Sequence, residues 1–552
     1  MDIKAELAHI FSGDIDQSDE TRETYSHDAS LFELKPKTVV FPKDSNDVQK
    51  LVGWVAQHKA DVPELSITPR SAGTDMSGGA IGESIVADMT KYMNQLTEVS
   101  AESARMQPGL HYRDFDKKTA EYDAIMPTYP ASRDLCTVGG MVSNNSGGEK
   151  SLQYGKTANF ISELKVVFAD GNEYIVKPLK KDELVQKMSQ GDYEGNLYKQ
   201  TFELLEAHYD EIQAAKPNVS KDSTGYHLWD VWNRETGIFD MTKLICGSQG
   251  TLGIVTDIQW RLVSRPKHSG LLVLFLRDIH TLGDLINVVL THKPAAFESF
   301  DDATLLLSIK FMPYFLKMLG PVKFIKLLIG LIPDGLQLLR GIPKMILMVE
   351  FNGNTEEEVR DKIKNLHRDL RDQRARYEIN GFEEDATEGK SEKFWIMRRH
   401  SFNLLRSKVK EKHTAPFIDD FIVRPEQLPD FLPKLREIIK KYKLFATVQG
   451  HVGDGNFHVI PLMKIEDPNE RAKLQPAMKE VNTLVLEHGG SLSGEHNDGM
   501  VRGPWLETMY GPEVFGYMHE VKTIFDPQNI FNPHKKTDAN WEFSFNHIRQ
   551  HF

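Results

Sequence analysis

At 552 residues the chain is too long for one ordinary core and predicts two or three domains. Hydrophobic residues make up 40% and charged residues 26%, the balance of a soluble globular protein, which argues against a disordered chain or a repeat array. A formal net charge of -12 gives a field that repels nucleic acid, so an anionic ligand has to be captured by local positive groups.

The chain opens Met1-Asp-Ile-Lys-Ala-Glu-Leu7, amphipathic and without an apolar run, so no secretory signal is expected. Its cysteines, Cys136 and Cys246, are too few and too far apart for a disulfide framework or for an iron–sulfur cluster bound by this chain alone. They fit a reducing, cytoplasmic compartment.

Three glycine-rich blocks stand in the first half. In the first, Thr68 to Gly79, small residues let backbone N–H groups converge on an anion without Cβ obstruction. That is the chemistry of a pyrophosphate cradle, although a tight turn between strands would read the same. The second, Pro130 to Gly148, carries hydroxyls, amides and glycines suited to a polar ligand with many acceptors. After it, Glu163 to Ala169 reads as a strand that turns at Asp170-Gly171 into a second strand from Tyr174. A charged stretch over 180–215 predicts helices. The third block, Cys246 to Thr256, combines close backbone approach with an apolar wall. Neither GxxxxGK[ST] nor a strand-linked GxGxxG is present, so a nucleotide triphosphatase and a Rossmann domain are both disfavoured.

Past about residue 265 the pattern changes. Leu271–Leu276 and Met345–Phe351 read as buried strands. A helix follows the second, opened by a Thr355/Glu358 capping box and striped by Val359, Ile363, Leu366 and Leu370. Such strand–helix–strand units predict an α+β sheet with helices on one face. Residues 305–344 are rich in Leu, Ile, Phe and Met but broken by Lys310, Lys317, Lys323, Lys326, Arg340 and Lys344, and further by Pro313, Pro321 and Pro333. No span reaches the ~20 apolar residues that cross a bilayer. The segment is either short core helices with snorkelling lysines or a surface that lies on a membrane.

The sharpest constellation is Gly450-His-Val-Gly-Asp-Gly-Asn-Phe-His458. Gly453-Asp-Gly-Asn456 reads as a turn, so Val452 is expected opposite Phe457 and His451 opposite His458. Facing side chains stand with Cβ atoms ~5 Å apart, which suits joint ligation of a metal. Glu495, beside His496 in Ser491-Leu-Ser-Gly-Glu-His, offers a carboxylate to complete it. Histidines that merely close a hairpin would not need the second motif.

The ordered set Pro69-Arg-Ser-Ala-Gly-Thr74, Thr137-Val-Gly-Gly-Met-Val-Ser-Asn-Asn-Ser-Gly-Gly148, Tyr154-Gly155 and Gly247-Ser-Gln-Gly-Thr-Leu-Gly-Ile-Val-Thr256 resembles the FAD-binding domain of the vanillyl-alcohol oxidase (PCMH-type) superfamily. The likeness is nearest to its D-lactate, glycolate and D-2-hydroxyglutarate dehydrogenase branch and runs from about residue 38 to 536. It implies a two-subdomain FAD-binding domain over 1–265, an α+β substrate or cap domain with a ferredoxin-like sheet over 266–510, and a C-terminal helical segment over 511–552 packing back near the flavin. By the same resemblance Arg70, Ser71, Ala72, Gly73 and Thr74 approach the pyrophosphate. Asp134, Thr137, Gly139, Gly140, Asn144 and Gly147 line the flavin, Gly250 and Ile254 lie on the adenine side, and Asn532 is near the flavin. The first loop has no histidine for covalent attachment, so noncovalent FAD is expected.

The branch shares both histidine motifs, which implies His451, His458 and Glu495 as ligands of a divalent metal, zinc by preference, and His496 as general base. Trp395-Ile-Met-Arg-Arg matches the family's Trp-x-x-Arg, making Arg398 the implied clamp for a substrate carboxylate and Arg399 a reserve. One departure stands out. The branch carries Lys-Tyr-Asp where this chain has Ile418-Asp419-Asp420, with Lys412 the nearby lysine. The implied activity is oxidation of a small D-2-hydroxy acid. Electrons would leave to a quinone, an electron-transfer flavoprotein or a separate iron–sulfur subunit, with peripheral membrane contact through 305–344. The alternatives are the same fold acting on another alcohol, or a noncatalytic electron-transfer subunit.

Overall fold

The computed structural model describes residues 2–310, 320, 341–386, 393–399 and 412–550. In the first half, Asp14–Asp16, Thr38–Phe41, Ile85–Asp88 and Ile67–Arg70 form a four-stranded sheet in that order, the last three parallel. Helix Ser45–His58 covers it with Val48, Leu51, Val52 and Val55, at the 3- and 4-residue spacing of a core-facing stripe. The first glycine block leaves the end of Ile67–Arg70.

A five-stranded antiparallel sheet stands beside it, in the order Leu96–Val99, Ser103–Met106, Ile254–Arg261, Ile161–Val167, Glu173–Val176. The expected hairpin is its edge: Val167 pairs with Glu173 across a turn in which Gly171 holds φ 82°. The stretch over 180–215 is helical, as expected, in Lys181–Met188, Tyr193–Ala207 and Tyr209–Ala214.

The second half centres on an antiparallel sheet running Ile379–Asp385, His268–Leu276, Met345–Gly353, Ala296–Asp301, Phe445–His451, Asn456–Met463, His413–Thr414, with Phe421–Ile422 also paired to Asn456–Met463. The two strands read from the sequence are neighbours, Leu272 opposite Val349. Helix Glu356–Arg371 buries Val359, Ile363, Leu366 and Leu370 against them, capped by Thr355, whose hydroxyl accepts from the Glu358 N–H.

Helix Leu506–Phe525, kinked at Gly511, returns the chain to the first half. It buries Val514, Met518, Val521 and Phe525 in the core of the five-stranded sheet. Ile530 and Phe531 then join the core of the four-stranded sheet. Most of the basic apolar segment over 305–344 lies outside the described residues. Among those described, no helix is long and apolar enough to cross a membrane.

Candidate active site

The three glycine blocks come together through their side chains. Gln249, in a left-handed backbone conformation, donates from Nε2 to Ser77 Oγ (2.9 Å) and Asn144 Oδ1 (3.4 Å). Asn532 donates to the carbonyls of Gly79 (2.8 Å) and Gln249 (2.7 Å) and accepts from Thr68, pinning the first block to the third. Asp75 accepts from the Ser77 and Gly79 N–H groups and from Asn144. The Arg70 guanidinium is engaged by the carbonyls of Tyr25, His27 and Ala80, so it shapes the first loop from below rather than facing outward.

The backbone of that loop is the opposite. Ser71, Ala72, Gly73, Thr74, Asp75 and Met76 are half-buried, and among the described residues their N–H groups donate no hydrogen bond within the protein. Facing them, Thr137 caps helix Val138–Asn144 and Gly140 is half-exposed, its absent Cβ only 3.5 Å from Ser71. Six free N–H donors opposite a glycine face fit a pyrophosphate-bearing cofactor such as FAD. Gly139 packs against Pro108, and Gly250, at φ 68°, lies on Pro69, where a Cβ would sit 2.3 Å from Cγ. Ile254 begins its strand of the five-stranded sheet and is buried in the core that also packs the four-stranded sheet, and Asp134 is exposed.

Gly147 links this region to the histidine motifs: a Cβ there would lie 3.6 Å from Glu495. The hairpin beneath corrects the expected register. Its loop is Val452 to Gly455, closed by Gly455 N–H on the Val452 carbonyl, so His451 pairs with Asn456 and His458 with Gln449. The two histidines are therefore diagonal neighbours rather than opposed. The two-residue side-chain period still keeps them on one face, ring centroids 5.4 Å apart.

Each imidazole is held at Nδ1 by a carboxylate. His451 Nδ1 lies 2.6 Å from Glu298, on strand Ala296–Asp301, and its Nε2 lies 3.1 Å from Glu495 Oε1. His458 Nδ1 is 3.2 Å and His496 Nδ1 2.7 Å from the two oxygens of Asp419. His458 Nε2 faces Glu495 Oε2 at 4.0 Å. Ligand atoms of Asp420, His458, Glu495 and His496 all lie within 4.8 Å of one another, an N/O donor set suited to zinc or a similar divalent ion. Asp420 is already committed: it accepts from Asn456, from the Ser493 hydroxyl and from the Glu495 and His496 N–H groups, so it shapes the turn. The His496 side chain keeps 23% of its surface exposed, against 11% for His458 and 6% for His451, which leaves it the imidazole most open to an incoming molecule.

Burial would lower the His496 imidazole, but Asp420 and Asp419 outweigh it and hold it up at about 9. Burial would likewise raise the Glu495 carboxyl, yet His451 and Lys221 keep it well below the usual carboxylate range. Lys221 forms an ion pair with Glu495 and lies 3.5 Å from Asp454. Lys156 donates to the carbonyls of Asp222 and Gly494.

These two lysines were missed, because each sits in an ordinary polar loop with no periodic signal. Glu298 was missed as well; the visible sign was a carboxylate inside the buried strand Ala-Phe-Glu-Ser-Phe-Asp. Lys412 is no substitute for the family's lysine, since it precedes a strand that pairs with Met463, at the far end from His458. Arg398 is ion-paired with Glu298, and Arg399 forms a two-pronged contact with Glu149 (2.8 and 3.2 Å).

Known proteins place this arrangement. Residues 36–176 match the model of an FAD binding domain, and 265–536 match that of the C-terminal domain of FAD linked oxidases. A D-2-hydroxyglutarate dehydrogenase of Pseudomonas putida is 28% identical over 95% of this chain, but the chain spans only 50% of that protein's length. Glycolate oxidase subunit GlcD of Bacillus subtilis is 26% identical, with 97% of this chain and 96% of the subunit covered. Among solved structures, 4-ethylphenol oxidase from Gulosibacter chungangensis superposes with TM-score 0.67 at 16% identity, covering 97% of this chain and 96% of its own. p-Cresol methylhydroxylase gives 0.63 at 13% identity, covering 96% and 94%. The PCMH-type fold is shared with both of those solved structures, and with the two models matched in order over most of its length the chain belongs to the FAD-linked oxidases.

Proposed function

We propose that the chain oxidises a small D-2-hydroxy acid of the lactate or 2-hydroxyglutarate type to the 2-oxo acid, with noncovalently bound FAD. What supports this most is a single juxtaposition: His496, with 23% of its side chain exposed, shares one donor cluster with the buried His458 and Glu495, and Gly147 of the second glycine block lies against Glu495. The relatives named for 2-hydroxyglutarate and glycolate chemistry set the substrate class.

FAD, when bound, supplies the acceptor for a hydride from the substrate carbon. His451, His458 and Glu495 would hold a divalent cation, zinc by preference, and its chemistry there would be to acidify the substrate hydroxyl. His496 takes the hydroxyl proton at Nε2. A divalent charge nearby would oppose the carboxylates that now hold this imidazole protonated. Arg398 is the proposed clamp for the substrate carboxylate, which would have to exchange with Glu298; Arg399 is the reserve.

As the last part of the reaction, electrons are proposed to leave the flavin to a quinone, an electron-transfer flavoprotein or an iron–sulfur subunit. Membrane contact through 305–344 is a further part of the proposal, supported by exposed Leu306, Ile309 and Ile342 near Lys344. Flotation with anionic liposomes at low salt checks it: protein left at the bottom removes it.

The reaction is tested by an anaerobic screen of D- and L-2-hydroxy acids for flavin bleaching, with acid precipitation to release FAD. Bleaching by a D-acid is expected. Bleaching only by some other alcohol would replace this reading with another oxidase of the same fold.

A further inference from the structure

One carboxylate holds two of the three imidazoles. Asp419 Oδ1 lies 3.2 Å from His458 Nδ1 and Oδ2 lies 2.7 Å from His496 Nδ1. The two rings are stacked, with centroids 4.9 Å apart and planes 22° from parallel. Asp419 is fully buried at its side chain, and its carbonyl accepts from Arg502 at 2.9 Å. The next residue, Asp420, takes a left-handed backbone at φ 70°, which turns the chain so that Asp419 points at the rings while Asp420 points at the Ser493–His496 turn. The left-handed backbone of Asp420 is held by its hydrogen bonds to that turn.

A carboxylate at neutral pH accepts hydrogen bonds and donates none. An imidazole nitrogen facing it at hydrogen-bond distance must therefore carry the hydrogen, which leaves the chemistry to the other nitrogen. We propose that Asp419 is a positioning residue that keeps hydrogen on Nδ1 of both His458 and His496, so that the two rings act through Nε2. For His458 that nitrogen faces Glu495; for His496 it is the atom that takes the substrate proton. The second role rests on the reaction proposed above, and the first does not. Asp419 thereby ties ligand and base to one rigid group, and neither ring reorients without the other.

Asp419→Asn separates this from a packing role. The amide has the same shape but offers one acceptor and one donor, so only one imidazole keeps its hydrogen on Nδ1. In FAD-loaded protein with 15N-labelled histidine, both Nδ1 resonances of the wild type are expected in the protonated range. One should move to the unprotonated range in the variant. Anaerobic flavin reduction should slow ~10–100-fold, the usual cost of losing an outer-shell carboxylate, with FAD content and half-saturating substrate unchanged. A wild-type spectrum with either Nδ1 unprotonated overturns the proposal, even if the variant does not fold. So does a variant that reduces its flavin at the wild-type rate. If the resonances behave as expected but no 2-hydroxy acid reduces the wild type, the positioning stands and the proposed substrate class fails.

Discussion

The glycine blocks and the histidine hairpin meet at Gly147 and Glu495, yet they are built on opposite plans. In the first, the polar side chains are committed to one another: Arg70 to carbonyls, Asp75 to the turn, Gln249 and Asn532 to the seams between blocks. What is left free in the first loop, among the described residues, is the backbone N–H groups of Ser71 to Met76 together with the Ser71 and Thr74 hydroxyls. In the second, the backbone is committed to a ladder, Gly450 opposite Phe457 and His451 opposite Asn456, and the side chains face inward as carboxylate–imidazole pairs. A backbone site reads its ligand by shape and fails when a Cβ is added. A side-chain site reads it by charge and fails when a functional group is removed.

The contrast breaks most visibly at His496. His496→Ala is expected to leave FAD and metal content intact and to cost ~10²–10⁴-fold in anaerobic flavin reduction, the contribution of a positioned base. Stopped-flow reduction beside cofactor analysis reads this; a fully active variant would move the base elsewhere. Gly250→Ala tests the other plan. With φ at 68° and Pro69 Cγ 2.3 Å from the new Cβ, the first and third blocks must part. About 1–3 kcal/mol of stability should go, and FAD retention with it, while metal content is unchanged. Equal loss of metal would show that the two regions are not separable. The smallest effect is expected at Thr355→Ala, which removes a helix cap remote from both. It should cost about 1 kcal/mol in thermal or denaturant unfolding without altering FAD, metal or turnover.

Much of this was legible in the sequence because periodicity and glycine placement are local signals. The stripe Val359, Ile363, Leu366, Leu370 is buried as read, and the two apolar runs are neighbouring strands. The register of the His451 hairpin was not legible. Whether the loop is Val452–Gly455 or Gly453–Asn456 depends on which closing hydrogen bond forms, and one residue changes every pair. The same-face placement survived because moving the loop by one residue shifts the pairing by two, from His458 to Asn456 opposite His451, and side chains alternate with a period of two. Partners from remote segments were harder to find: Lys221 sits in a loop with no motif, and the one sign of Glu298 was a carboxylate inside the buried strand Ala296–Asp301. Asp419 was noticed only as a departure from the family's Lys-Tyr-Asp, and its two-ring contact becomes evident only once Ser491 to Asp498 is folded against it.

The most direct test of the proposed chemistry is metal removal. Wild-type protein stripped by a chelator and desalted should keep its FAD, because the glycine blocks are a separate site. Its anaerobic reduction by a D-2-hydroxy acid should fall on the order of 10²-fold or more. Added zinc should restore the rate in the wild type and fail to restore it in His451→Ala. A metal-free wild type that still reduces its flavin rapidly would contradict the central claim, leaving His451, His458 and Glu495 as a purely structural cluster.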